Sequence, residues 1–272
     1  MPFAFAALGF LISSSFQRQP ALSLSDLQRF MQQVENAVKA GEPWAIDAGK
    51  HVSVHYVGHP GPDLDRATAV IDAAVETDCA ALGLTLPTDK VDVYLFPSST
   101  DLGHALGLGP VQDGISMGKW SAISLDGGFG EKNLASIASQ QLGYALVHDQ
   151  LGLYGWKVFN EGVGLYLRAS AEHAAWIQGP IPVESKRMTE LVKTASSPAD
   201  LEEGAEFIGF LIRRDHGNPS RLKVVLADLS EERLSDLRIP GKEDAQVRVD
   251  RAFTAAYGES LAKLEHEWRE GV

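Results

Sequence analysis

Residues 133–170 read NLASIASQQLGYALVHDQLGLYGWKVFNEGVGLYLRAS, and the rest of the chain is organised around them. In the first part, Leu134, Ile137, Ala138, Gln141, Leu142, Ala145 and Leu146 recur at helical spacing and cover one broad face. Gln140, Tyr144 and His148 form an i, i+4, i+8 stripe along the margin of that face. The chain then turns between Leu151 and Lys157, and a second helix carrying Glu161 runs from Val158 to Ala169. Side chains at i and i+4 stand about 40° apart around a helix, so Gln140 and Tyr144 address one point in space. The expectation from spacing is two helices, 133–150 and 158–169, with Gln140 and Tyr144 on one face of the first.

This pair resembles the two-helix core of zinc metallopeptidases of the gluzincin type. There an H-E-x-x-H helix supplies two His ligands and a general base, and a later N-E-G helix supplies a Glu ligand. Asn160-Glu161-Gly162 matches the second element, and Glu161 follows Tyr144 by a gluzincin-like interval of seventeen residues. The resemblance therefore implies that the two helices lie side by side with Gln140, Tyr144 and Glu161 converging on one crevice. Gln140-Gln141-Leu142-Gly143-Tyr144 stands where H-E-x-x-H belongs. A neutral amide is a poor zinc donor, and an unperturbed phenol with a pKa of about 10 keeps its proton at neutral pH. Gln141, at the general-base position, cannot accept a proton near neutrality. Zinc is the family's cofactor, and the substitutions imply that this chain has lost it. No catalytic residue is expected, and Gln140, Gln141, Tyr144 and Glu161 read as a vestigial site with His148 and Asn160 as accessory members. A buried Glu161 without zinc needs hydrogen bonds, which Gln140 and Tyr144 can donate.

The C-terminal third extends the resemblance to bacterial "peptidase MA-like" proteins. Leu201–Arg214 looks like the helix that follows the Glu helix, and Asp215-His216-Gly217 like its stop. A helix at Arg221–Leu229 precedes the ending AFTAAYGESLAKLEHEWREGV, with its Tyr-Gly turn and Glu267-Trp268 pair. Relatives often carry a Tyr or His on that following helix to polarise the scissile carbonyl. In LEEGAEFIGFL neither precedes Phe207, so this group is also missing. The implied fold is α+β and zincin-like, a small mixed sheet with one helix packed across it, leading into a mainly helical lobe. The implied division is an apolar N-terminal segment at 1–20, an accessory helix and linker at 21–50, and a peptidase-like domain at 51–272. That domain divides into an α/β lobe at 51–130 and a helical lobe at 131–272.

Composition agrees with a globular chain: 272 residues, 44% hydrophobic and 22% charged. A net charge of −12 without a basic run excludes nucleic acid as a partner. Cys79, the only cysteine, lies on the apolar side of a predicted helix and reads as a small buried hydrophobe. Phe3–Ile12 is apolar and followed by three serines, which resembles an export signal, although no basic residue precedes it; the competing reading is a docked N-terminal segment of a cytoplasmic protein. No stretch is long enough to span a bilayer, which takes about 20 apolar residues.

Upstream of the central pair, Leu24–Val38 has helical spacing and Gly41-Glu42-Pro43 ends it. His51–Val57 alternates as a strand, with His51 and His55 on a solvated face and about 13 Å apart, too far to share an ion. Asp65–Leu82 is an amphipathic helix, Val91–Phe96 a buried strand, and Ser98 or Ser99 caps a helix through Leu106. Gly114–Met117 and Ser121–Leu125 read as a hairpin around Gly118-Lys119.

Gly114-Ile115-Ser116-Met117-Gly118 also fits G-x-S-x-G, the nucleophile elbow of α/β-hydrolases, which requires a strand before Ser116 and a helix directly after it. Here a strand-like run follows. The functional reading favoured is a non-catalytic peptidase-like module that holds a peptide or protein in its crevice, with 121–125 as a strand to which an extended segment adds. The rival is an active hydrolase, using an irregular metal set of Tyr144, His148 and Glu161 or using Ser116.

Overall fold

The computed structural model describes residues 44–57, 63–125, 131–152, 157–174, 186–195, 197–230 and 245–271, with isolated positions between 32 and 39. The expected helix at 24–38 and the apolar run at 3–12 lie outside this set, wholly or nearly so.

Five strands form one mixed sheet: β1 (Trp44–Ala48), β2 (Val52–Val57), β3 (Val91–Phe96), β4 (Gly114–Met117) and β5 (Trp120–Ser124). Their order is β1-β2-β3-β5-β4. β2 pairs in parallel with β3 and β3 with β5, while β1 and β4 run antiparallel at the two edges. The parallel centre follows from its crossovers: α1 (Asp63–Leu82) joins β2 to β3, and α2 (Ser99–Leu106) lies between β3 and the hairpin. Ser98 caps α2 by accepting from the Asp101 amide.

Three readings change here. The first is β1, which falls in the supposed linker; WAIDA has no clean alternation, and Ile46 points to solvent at 64% exposure. Its register is imposed by β2, and Asp72 of α1 fixes the intervening turn by accepting from the Lys50 and His51 amides. Second, the strand histidines are not solvated. His51 is buried against Glu76, and His55 stacks on Tyr94 with Nε2 2.9 Å from Asp92. Third, β5 is an inner strand, because β4 folds back outside it; the edge on that side is β4.

α1 and α3 (Glu131–Leu151) both pack on the sheet, where a single helix was expected, and α2 helps enclose a second, smaller core of Tyr94, Phe96 and Trp120. The helical part adds α4 (Lys157–Ala171), α5 (Met188–Thr194), α6 (Pro198–Arg214), α7 (Ser220–Asp228), α8 (Ala245–Tyr257) and α9 (Leu261–Glu270). One continuous apolar core runs from Val52 and Val93 of the sheet through Leu142, Phe159 and Phe207 to Trp268 of the last helix. Cys79 belongs to it, with its thiol toward the Thr85 carbonyl and its pKa raised to about 11 by burial. No described helix is long and apolar enough to cross a membrane.

Candidate functional site

The site is built on α3, which is buried on nearly all sides from Leu134 to His148 rather than along one face. It touches α1, α4, β4 and β5, and such a helix carries its polar side chains inward. Each then needs a partner, since burying an unpaired polar group costs about 1–3 kcal/mol.

Those partners form a directed chain. Tyr144, 7% exposed, donates its phenolic proton to Glu161 Oε2 at 2.7 Å. Gln140 Nε2 donates to the Tyr144 oxygen at 3.1 Å. Arg168 Nη1 donates to Gln140 Oε1 at 3.0 Å and to Asp113 Oδ2 at 2.7 Å. Burial, and secondarily the Glu161 charge, hold the Tyr144 phenol well above its ordinary pKa, so the proton stays on the oxygen. The three residues expected to converge do so, but Gln140 reaches Glu161 only through Tyr144.

The Asn and Gly of Asn160-Glu161-Gly162 have packing roles of their own. His148 Nε2 donates to Asn160 Oδ1 at 3.1 Å. His148 is 7% exposed and burial lowers its pKa to about 4, so it is a neutral buried ring. Gly162 meets α6: a Cβ there would lie 2.9 Å from the backbone of Gly204. Gly164 makes room for the site itself, since a Cβ there would enter the Tyr144 ring.

Gln141 turns away from this chain and under the hairpin. Its Oε1 accepts from Ser116 Oγ at 2.9 Å, and its carbonyl accepts from Ser121 Oγ at 3.3 Å. Gln141 is thus a strut between α3 and the sheet. Ser116 is a buried mid-strand residue whose proton goes to an amide oxygen, and the chain continues into β5. The strand-to-helix elbow that would expose it as a nucleophile is not formed.

Zinc does not fit these residues. The Tyr144 oxygen is protonated and committed to Glu161, and the Gln140 carbonyl is held by a permanently cationic guanidinium that would repel a dication. Among the described residues no group of three or more His, Cys, Asp or Glu could share an ion.

Arg168 and Asp113 were not read from sequence. Arg168 lies seven residues beyond Glu161, on the same helical face, and that spacing was the available signal. Asp113 carried none: it precedes β4 in a left-handed conformation, φ 60°, which Asp tolerates better than most residues. Both border a cavity of about 250 Å³ between the hairpin and the start of α3. The described lining of that cavity includes neither Gln140, Tyr144 nor Glu161, so the open space sits beside the polar chain.

Comparison with known proteins is sparse: no protein-family model and no curated protein matches the chain. Among solved structures it is similar to a mutant M1 zinc metallopeptidase from Deinococcus radiodurans, at 16% identity and a TM-score of 0.43, over 85% of this chain and 51% of that one. The chain therefore spans about half the length of that structure.

Proposed function

We propose that the chain is a metallopeptidase-like protein without peptidase chemistry, and that it binds an extended peptide along the free edge of β4. The observation that carries the first half is the bond from Tyr144 to Glu161. A protonated phenol, an amide and a guanidinium stand where the resemblance implies two imidazoles and an ion, and each is already used by its neighbour. Gln141 is occupied with Ser116 and has no proton to take or return. Support for the second half is that β4 ends the sheet, with the cavity at the hairpin's foot. The strand proposed for addition is β4, since β5 is paired on both sides.

Metal analysis of the purified protein tests the first half. Stoichiometric zinc is expected to be absent from the parent. Gln140→His with Tyr144→His would supply two imidazoles beside Glu161, and this double variant is expected to bind zinc measurably. Adding Arg168→Ala should tighten that binding about tenfold or more by removing the opposing cation. A parent protein that cleaves peptides, and stops when chelated or when Glu161→Gln is made, would overturn the proposal.

A further inference from the structure

The cavity beside Arg168 holds unspent hydrogen-bonding capacity. Arg168 gives Nε to Glu172 and Nη1 to Asp113 and Gln140, while Nη2 makes no hydrogen bond among the described residues. Ser124, at the end of β5, is 2% exposed and its hydroxyl has no partner there. Asp113 commits Oδ2 to Arg168, and its side chain remains 40% exposed. An orphaned buried hydroxyl costs about 1–3 kcal/mol, and nothing among the described residues offsets it at Ser124. All three residues line the same space of about 250 Å³.

Charge selects the kind of group that fits. The Arg168 guanidinium faces two carboxylates, Asp113 at 2.7 Å and Glu172 at 3.1 Å, so an entering carboxylate would meet a locally negative wall. An ammonium would satisfy Asp113 but leave the donors on Arg168 and Ser124 unused. A primary carboxamide offers an acceptor oxygen and a donor NH₂ in one neutral planar group. We infer that the cavity is a subsite for a primary carboxamide, the side chain of a Gln or Asn in a peptide lying along β4. The inference rests on the peptide-binding reading, and adds to it the identity of the side chain.

The test is calorimetry with five-residue peptides, Ala-Ala-Xaa-Ala-Ala, where Xaa is Gln, Glu, Lys or Leu. N-acetyl and C-terminal N-methylamide caps keep the side chain as the only primary amide. The Gln peptide should bind about tenfold tighter than the other three. Ser124→Ala should cost that preference about fivefold while leaving the urea midpoint unchanged or higher, which a purely structural serine would not do. Asp113→Asn, which keeps a residue tolerant of the left-handed backbone, should bring the Glu peptide up toward the Gln peptide. Equal binding of all four peptides would overturn the carboxamide subsite and leave the peptide reading standing. Absence of binding by all four would overturn the peptide reading itself. Unchanged Gln-peptide affinity in Ser124→Ala would also overturn the subsite.

Discussion

Tyr144 is the residue on which the interior depends most directly. Its phenol is the only described donor to Glu161, and its ring occupies the space Gly164 leaves. Tyr144→Phe keeps the ring and removes the donor, so the expected loss is about 1–3 kcal/mol, read as a lower urea midpoint with an unchanged slope. His148 makes stability depend on pH. Its folded pKa, about 4, lies below the ordinary 6.5, so the unfolded chain takes up a proton first as pH falls. Stability is therefore full above pH 6.5, declines between pH 6.5 and about 4, and loses nothing more from this group below that. The loss is on the order of 3 kcal/mol at one pKa unit per 1.36 kcal/mol. His148→Gln should flatten the stability profile between pH 6.5 and 4 relative to the parent, and an identical profile would contradict the burial argument.

At the scale of elements, the decisive contact is between α4 and α6. Gly162 and Gly204 let the two helices approach until a Cβ on either would meet the other's backbone. Gly204→Ala should cost about 1–3 kcal/mol by overpacking, although Ala is the better helix former, and a denaturation midpoint at or above the parent's would refute that close approach. Sequence reading placed α3, α4 and α6 to within a few residues. It began α6 at Leu201, missing the start at Pro198, where Ser197 and Asp200 form a reciprocal capping box. It also passed over α5, whose seven residues are too few for periodicity to register.

At the scale of the molecule, a single apolar core links the sheet to the last helix. The two parts should therefore unfold together. The chain has five tryptophans. Trp120 lies in the sheet and Trp268 in α9, both nearly buried, so two variants that keep only Trp120 or only Trp268, with the other four changed to Phe, report on one part each. The expected result is coincident urea transitions by fluorescence in the two variants and by far-ultraviolet circular dichroism; separated midpoints would divide the chain into independent units.

The sequence by itself determined the local periods of most helices and strands, and that Gln140 and Tyr144 share one face of α3. Those follow from spacing, because 3.6- and 2-residue repeats set side-chain direction within each element. Only the tertiary structure decided which strand is the free edge, that His148 is neutral, that Gln141 braces the hairpin, and that Arg168 and Asp113 complete the polar chain. Each depends on a neighbour in another element: β3 pairing with β5, Asn160 reaching His148, Ser116 meeting Gln141. Burial and pairing between distant elements have no period to be read, so the charge, exposure and partners of a side chain are settled only when the chain closes around it.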